Sequence, residues 1–178
     1  MPHVSLIRLA LLGVFLCSAV NAEQPTVDLK QHLKPLEQLV GTWEKKFAIL
    51  KADGTPEEKV RTGTYVAKWI LKDLHLQESG EEEGTAYLNV YSYVFASREF
   101  GLSVFKSSGE SYQMTGKWDP AAKAFTWTRH LNDGLVSETV YQITGDDDYK
   151  FGTVLKDGGG KVLMRTEGTG KRVAAKPQ

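Results

Sequence analysis

Three side chains in the middle of the chain have the chemistry to hold a small amphipathic molecule. Arg129 alternates with Trp127 and Phe125, so a cation shares one strand face with two aromatic rings. Tyr91 lies in the most aromatic stretch of the sequence, residues 85–96. A charge on an inward face is costly unless an acid or a ligand pairs with it. The pattern therefore predicts that Tyr91, Trp127 and Arg129 bind a small, partly apolar or amphipathic anionic ligand.

The same residues have a plainer interpretation, in which the protein itself satisfies them. Glu138, on the neighbouring predicted strand, is a candidate partner for Arg129, and the cation-bearing faces can instead point outward. The interior would then be filled by its own side chains, as in many small barrels. In that case the protein is a structural or interaction module of the cell envelope. Further basic and phenolic residues of the same constellation are Lys45, Lys68, Tyr87 and Tyr93.

Residue types suited to metal binding and nucleophilic catalysis are present without the necessary spacing. No two of His32, His75 and His130 have the close spacing of a zinc helix or zinc finger. The sequence has no Gly-x-Ser-x-Gly motif, and its acidic runs, residues 81–83 and 146–148, fall on predicted loop tips. The glycine-rich residues 157–160 lie between predicted strands, which disfavours a phosphate loop. We therefore predict a protein that is not an enzyme, with no catalytic residue, metal or cofactor; a hydrolytic enzyme is a less favoured alternative.

Length and charge limit the function classes that remain. The 178 residues suffice for one domain that folds without disulfide bonds or metals. The 22 basic and 22 acidic residues cancel, so no overall field attracts nucleic acid or an anionic membrane. We expect a small-molecule ligand as the partner and no nucleic acid. The oligomeric state is open.

Residues 1–22 have the pattern of a signal peptide. His3 and Arg8 precede an apolar run, residues 9–20, that is short for a membrane span. Ala22 ends a segment that a signal peptidase accepts, so we predict cleavage after it and no membrane span in the mature chain. Cys17 lies inside this leader, and the bulky Leu16 before it disfavours a lipoprotein. The sequence thus predicts an exported, periplasmic or extracellular protein; an uncleaved anchoring helix is the alternative.

The segment between the leader and the first strand is predicted to be a linker and an amphipathic helix, residues 23–40. Its leucines recur at spacings of three and four, which is the apolar stripe of a helix. Pro35 falls inside the stripe and predicts a kink or two short helical pieces. Gly41 is a typical helix end.

From residue 41 to residue 173 the apolar pattern has a period of two. About ten predicted strands follow one another, joined by short turns such as Asn132-Asp133-Gly134. Short links imply antiparallel neighbours, and a meander of this length exposes edges unless it closes. We therefore predict an all-β, closed antiparallel barrel with an N-terminal helix, followed by a flexible tail, residues 174–178. A β-sandwich is the alternative.

The opening of the first strand, Gly41-Thr42-Trp43, resembles that of the calycin barrels, which include lipocalins, fatty-acid-binding proteins and nitrobindin-like proteins. In that superfamily the tryptophan stacks under a basic residue of the last strand and closes one end of the barrel. The resemblance implies this structural role for Trp43, with either Arg165 or Arg172 above it. Nitrobindin-like relatives bind haem through a late histidine, and here no histidine follows His130, so haem binding is a minor alternative.

A narrower resemblance, over residues 29–172, is to the exported bacterial family of uncharacterised proteins called domain of unknown function 1579. It rests on the segment Leu39-Val40-Gly41-Thr42-Trp43-Glu44 and on the later hairpin Trp118-Asp119 to Ala124-Phe125-x-Trp127. Members of that family tend to have Gly-Tyr-Asp where this chain has Lys117-Trp118-Asp119. The resemblance implies a lipocalin-like barrel and supplies no established activity.

Overall fold

The computed structural model describes residues 29–173, without the side chains of Glu57 and Glu58. The predicted signal peptide, most of the predicted linker and the predicted tail lie outside the described residues. The strand pattern of the sequence accounts for nearly all of the described part. The helical content within it is confined to short segments.

Two short helical pieces precede the first strand. The α-helix α1, Leu29–Leu33, continues directly into a 3-10 helix, Lys34–Leu39. Pro35 lies in the first turn of the 3-10 helix, where its missing N–H interrupts no helical hydrogen bond. Leu33, Leu36 and Leu39 are buried, because the apolar stripe of this segment packs against the barrel.

Ten strands follow, joined by tight turns. They are β1 (Gly41–Leu50), β2 (Pro56–Ile70), β3 (His75–Glu82), β4 (Thr85–Val94), β5 (Glu99–Lys106), β6 (Ser111–Asp119), β7 (Ala124–His130), β8 (Val136–Ile143), β9 (Asp148–Lys156) and β10 (Val162–Val173). A one-turn 3-10 segment, Asn132–Gly134, joins β7 to β8. Each strand pairs antiparallel with the next, and β10 pairs with β1. The predicted closed ten-strand meander is confirmed, and the β-sandwich alternative is wrong because no sheet edge separates β1 from β10.

The two ends of the barrel differ. At the end that we call the closed end, the helical segment packs on the interior, and the Trp43 indole Nε1–H donates to the Leu39 carbonyl at 2.9 Å. At the other end, the open end, the turns β1–β2, β3–β4, β5–β6, β7–β8 and β9–β10 surround the interior. The antiparallel order therefore places Trp43 near one end of β1 and Leu50 at the other.

Aromatic rings fill the closed half of the interior. Trp43 stacks on Tyr65 with ring centroids 6.2 Å apart and meets the Tyr149 edge at 5.1 Å. The Tyr65 hydroxyl donates to the Tyr149 hydroxyl at 3.1 Å. Buried residues of the same cluster include Leu76, Tyr91, Phe100 and Phe125, and the cluster continues toward the open end through Leu102, Val104 and Trp127. Because each buried aromatic side chain contributes a large apolar area, this half of the barrel supplies most of the core.

The backbone conformation and a close neighbour explain why glycine occupies position 41, at the start of β1. Gly41 has a φ of +128°, which side-chain-bearing residues rarely adopt. A Cβ at this position would also lie 2.5 Å from Nη1 of Arg172. Glycine thus allows the chain to turn from the 3-10 helix into β1 beneath the Arg172 guanidinium.

Candidate functional site

The open half of the barrel encloses a cavity of about 630 Å³. Apolar and aromatic groups form much of its wall, and charged side chains lie among them. The apolar and aromatic lining residues are Phe47, Ile49, Tyr87, Leu102, Val104, Tyr112, Met114, Trp127, Tyr141, Phe151 and Met164. The charged lining residues are Lys45, Arg61, Glu78, Glu82, Glu83, Lys106 and Arg129. The volume falls within the range of small-molecule sites, about 300–1,000 Å³.

A buried carboxylate, Glu78, lies at the inner end of this cavity. It is 6% exposed, the most deeply buried charged residue among residues 29–173. Its Oε2 accepts a hydrogen bond from the Tyr91 hydroxyl at 2.6 Å, and its Oε1 accepts one from Nδ2 of Asn89 at 3.1 Å. These two side chains come from β4, the strand that pairs with β3. We call Glu78, Asn89 and Tyr87 the inner polar group.

Burial raises the pKa of the Glu78 carboxyl above its ordinary value, because water cannot solvate the ionised form. The Lys45 ammonium is the largest opposing influence, and the hydrogen bonds from the surrounding tyrosines and Asn89 also lower this pKa. The same burial raises the pKa of Tyr91 well above its usual range, and the Glu78 charge adds to that rise. Tyr91 is therefore a permanent hydrogen-bond donor to Glu78.

Two buried polar atoms of the inner polar group have no hydrogen-bond partner of normal geometry within residues 29–173. They are Oδ1 of Asn89 and the hydroxyl of Tyr87. Both residues line the cavity. Buried polar groups are nearly always satisfied in folded proteins, so two such atoms on cavity-lining residues mark the part of the wall where a polar group of a ligand or a water would complete the hydrogen bonding.

An ammonium group of the protein already lies beside the inner polar group. The Lys45 Nζ is 2.6 Å from Oε2 of Glu82 and 4.7 Å from the centroid of the Tyr87 ring. The Lys45 side chain is only 14% exposed. Carboxylates and aromatic faces at this depth of the barrel thus stabilise a positive charge.

A second charged cluster lies at the rim of the open end. Arg129 contacts Glu110 through Nη1 and Oε1 at 3.2 Å, and Lys106 contacts the other oxygen of the same carboxylate at 2.6 Å. The Arg129 guanidinium also lies 3.7 Å from the Tyr112 ring centroid. Two cations share one partly exposed carboxylate here, and they lower the pKa of Glu110. We call Lys106, Glu110, Tyr112 and Arg129 the rim cluster.

The candidate partner of Arg129 taken from the sequence, Glu138, lies elsewhere. In the β7–β8 register Glu138 is opposite Thr128, while Arg129 is opposite Ser137. Glu138 instead forms an ion pair with Lys156. Arg129 and Glu138 are one position out of register, so their side chains face opposite sides of the sheet and cannot pair.

The structure places the three predicted ligand-binding residues at different depths. Trp127 and Arg129 line the cavity, and Trp127 is 1% exposed with its ring over its register partner Gly116. Tyr91 lies closer to the closed end, outside the cavity lining, with its ring 5.5 Å from that of Trp127. Its hydroxyl reaches the cavity only through Glu78.

The other residues of the predicted constellation are divided between the two faces of the sheet. Lys45 and Tyr87 line the cavity, whereas Lys68 is exposed. Tyr93 lies at the closed end, where its ring stacks on His32 at 4.7 Å.

Sequence reasoning missed the central acid of the site. Glu78 alternates with Leu76 and Gly80 on one face of β3, but Gln77, Ser79 and Glu81 make the other face equally polar. The signal that could have found it is the pairing of β3 with β4, whose tyrosines Tyr87, Tyr91 and Tyr93 share one face. The register Leu76↔Tyr91 then fixes Glu78 as inward-facing.

The two arginines considered for closing the barrel lie at opposite ends of β10. Arg172 pairs in register with Trp43, and its guanidinium lies 4.3 Å from the centroid of the Trp43 ring. It also donates to the carbonyls of Val40, Gln38 and Asp146 and pairs with Asp147. Arg165 pairs in register with Leu50 at the open end.

No group of three or more histidine, cysteine or acidic residues within residues 29–173 is arranged to hold a metal ion. His130 is exposed on the outer surface, away from the cavity lining. Among the helices of the described part, none has the length and apolarity to cross a membrane.

Comparisons with known proteins support the fold. The chain is similar to the S-type phycobiliprotein lyase CPES from Guillardia theta, with 13% sequence identity and a TM-score of 0.52 over 80% of this chain and 93% of that chain. A protein of unknown function from the DUF3598 family of Nostoc punctiforme PCC 73102 aligns at 7% identity over 80% of this chain and 99% of that chain, with a TM-score of 0.27. No family model and no curated protein matches the chain.

At this level of identity, the likeness to the lyase shows a shared barrel fold and nothing about activity. Membership of the domain of unknown function 1579 family stays a prediction.

Proposed function

We propose that the protein binds one small, partly apolar molecule in the cavity at the open end, without catalysing a reaction. The observation that carries this proposal is the cavity of about 630 Å³, open to solvent at one end, whose wall combines aromatic and charged side chains. A barrel that served only as a structural module would be expected to fill this space with its own side chains. The structural neighbour, named as a phycobiliprotein lyase, supports the barrel fold on which this proposal rests.

The rim cluster supports an anionic group at the outer end of the ligand. Lys106 and Arg129 together carry two positive charges against the single carboxylate of Glu110. That carboxylate is 42% exposed, and exposed ion pairs are worth only about 0–1 kcal/mol. A ligand carboxylate or sulfonate therefore competes with Glu110 for the Arg129 guanidinium at little cost.

Titration with 8-anilinonaphthalene-1-sulfonate, an aromatic anion, tests whether the cavity takes a ligand. We expect one dye per chain with enhanced dye fluorescence. Met114→Trp fills the cavity next to the rim cluster and should weaken binding about tenfold or more. The matched control is Gln113→Trp, which adds the same ring to the exposed face of the same strand and should leave the affinity unchanged. Equal affinity in both variants would show that the dye binds outside the cavity and would contradict the proposal.

Arg129→Ala tests the anionic part of the proposal separately. This variant should lower the affinity for the dye about tenfold or more, because one charge-assisted contact is lost. Arg165→Ala is the control, since Arg165 lies at the same end between two lining residues and therefore faces outward. Unchanged affinity in Arg129→Ala would remove Arg129 from the site and leave cavity binding in place.

We also propose that the chain is exported, with the leader removed after Ala22, and that it is a member of the domain of unknown function 1579 family. The support for export is the sequence pattern of residues 1–22, which lie outside the described residues. Intact-mass spectrometry of the protein from its own cells tests this proposal. A mature chain beginning at Glu23 is expected, and a full-length chain in the cytosol would contradict it.

A further inference from the structure

We infer that the inner polar group binds a ligand ammonium, so that the ligand class is an apolar amine whose outer end carries an anion. This inference rests on the proposed cavity binding and specifies which end of the ligand enters first. The sequence-based expectation concerned only the anionic end at Arg129. The inner end has different chemistry, because acceptor oxygens predominate there.

Oxygen atoms of three lining residues, Glu78, Asn89 and Tyr87, lie close together in the wall at the inner end of the cavity. Glu78 contributes a carboxylate that accepts hydrogen bonds from Tyr91 and Asn89. Because the Asn89 amide nitrogen is used in that contact, its Oδ1 is left as a buried acceptor without a partner in the described residues. The Tyr87 hydroxyl is also buried, and it lies close enough to Glu78 to lower the pKa of that carboxyl. An ammonium supplies three N–H donors and suits this set of oxygens.

The local charge balance also favours a cation. Glu78 and Glu82 line this part of the cavity, and Lys45 is paired with Glu82 at 2.6 Å. Ionised Glu78, Glu82 and Lys45 together carry one net negative charge, and a cation beside Glu78 favours the ionised form that burial alone disfavours. An ammonium of the ligand would bring the charge near the inner end to zero, whereas a ligand carboxylate would add to the negative charge.

The position of Lys45 shows that this environment accommodates an ammonium. Its Nζ lies over the Tyr87 ring at 4.7 Å, and the side chain is largely buried. A ligand ammonium beside Glu78 would have the same kinds of neighbour, namely a carboxylate and an aromatic ring. The walls between the inner polar group and the rim cluster are apolar and aromatic, including Trp127, Phe151 and Met114. An apolar body joins the two charged ends of the ligand there.

Two probes with the same chain length and the same carboxylate test the inference. They are 11-aminoundecanoate and undecanoate, which differ only in the terminal ammonium. Isothermal titration calorimetry at neutral pH should give an affinity about tenfold or more higher for 11-aminoundecanoate, the ratio expected from one charge-assisted hydrogen bond. An interior that recognises only apolar surface would prefer undecanoate, because it need not desolvate an ammonium. That order of affinities would overturn the inference.

Two variants assign the preference to the inner polar group. Glu78→Gln keeps the shape of the side chain and should abolish the preference for the amine while changing undecanoate affinity little. Lys45→Met removes the resident cation and should increase the affinity for 11-aminoundecanoate but not for undecanoate. An amine preference that persists in Glu78→Gln would overturn the assignment. Circular dichroism and thermal unfolding of each variant check that it is folded.

The dye titration separates this inference from the proposed function. If 8-anilinonaphthalene-1-sulfonate binds in the cavity and undecanoate binds at least as tightly as 11-aminoundecanoate, the inference is wrong and the proposed function stands. If the dye and both chain probes fail to bind, the proposed function is wrong and the inference fails with it.

Discussion

On the inner face of the barrel, the closed and open halves treat buried polar groups in opposite ways. His75, whose Nδ1 is buried near the closed end without a partner among residues 29–173, alternates with the buried Leu76 and therefore faces outward. In the closed half, the Trp43 indole N–H donates to Leu39, and the Tyr65 hydroxyl donates to Tyr149. In the open half, Oδ1 of Asn89 and the Tyr87 hydroxyl belong to cavity-lining residues and are buried without a hydrogen-bond partner of normal geometry in the described part of the chain. The difference suggests that the closed half stabilises the fold and that the open half is adapted to a ligand. The predictions below test this division, from the largest effect to the smallest.

Trp43→Ala should produce the largest loss of stability. The side chain is 1% exposed and contacts Tyr65, Tyr149, Leu39 and Arg172. Removing a buried tryptophan costs about 3–5 kcal/mol. Urea unfolding should show this decrease in the free energy of unfolding. Met114→Ala should lower the free energy of unfolding much less, because the Met114 side chain borders the cavity and has fewer packing contacts to lose. Equal losses in the two variants would contradict the division.

Arg172→Met should destabilise the protein by about 2 kcal/mol, the order expected when charge-assisted hydrogen bonds to backbone carbonyls are lost. Arg172 lies over Trp43 and donates hydrogen bonds to the carbonyls of Val40 and Gln38. A methionine side chain has no N–H group and cannot make these bonds. The matched control is Arg165→Met on the same strand, expected within about 0.5 kcal/mol of the unmodified protein. Thermal unfolding monitored by circular dichroism distinguishes the two. A larger loss of stability in Arg165→Met than in Arg172→Met would show that the arginine that stabilises the end of the barrel is Arg165.

Glu78→Gln should gain stability relative to wild type as pH rises, because only wild type has a buried carboxyl that must lose its solvation to ionise. Burial raises the pKa of Glu78 in the folded state above its unfolded value of about 4.3. The neutral acid is therefore favoured by folding, and this contribution is present below the unfolded pKa and is lost as pH rises towards the folded pKa. Urea unfolding from pH 4 to pH 8 should show a difference between Glu78→Gln and wild type that grows with pH.

A constant difference between the two proteins across this pH range would contradict the proposed burial of the charge. Glu83→Gln is the control, since Glu83 forms an exposed pair with Lys59 that lowers the pKa of Glu83. Its contribution has the opposite sign, so Glu83→Gln should slightly destabilise the protein at neutral pH.

Arg129→Met should change the stability little, by less than about 1 kcal/mol, because its pair with Glu110 is partly exposed. The same variant should nevertheless weaken binding of 8-anilinonaphthalene-1-sulfonate. Urea unfolding without ligand and dye titration of the same preparation measure both quantities. A loss of stability comparable to that of Arg172→Met would assign Arg129 a structural role instead.

The architecture was predictable because its determinants are local. Period-two alternation, turns such as Asn132-Asp133-Gly134 and the short links between them specify an antiparallel meander, and an unpaired edge favours closure. Pro35 similarly indicated two helical pieces, which are α1 and the following 3-10 helix. The cavity was not predictable, because its volume depends on how ten inner faces meet across the barrel.

The site was less predictable than the fold, since it depends on register. Arg129 and Glu138 appear as natural partners in the sequence, yet a shift of one residue places them on opposite faces of the sheet. The partner of Arg129 is Glu110, in the β5–β6 turn. Glu78 was missed because both faces of β3 are polar, so its orientation is fixed only by pairing with β4.

Native mass spectrometry of the protein purified from its own cells tests the central claim most directly. The division of the barrel into a stabilising half and a ligand-binding half predicts one small molecule bound per chain, released on collisional activation. The same adduct should be absent from Met114→Trp and present in Gln113→Trp. A chain that is bare in both wild type and Gln113→Trp, and that also fails to take up added 11-aminoundecanoate, would contradict the claim.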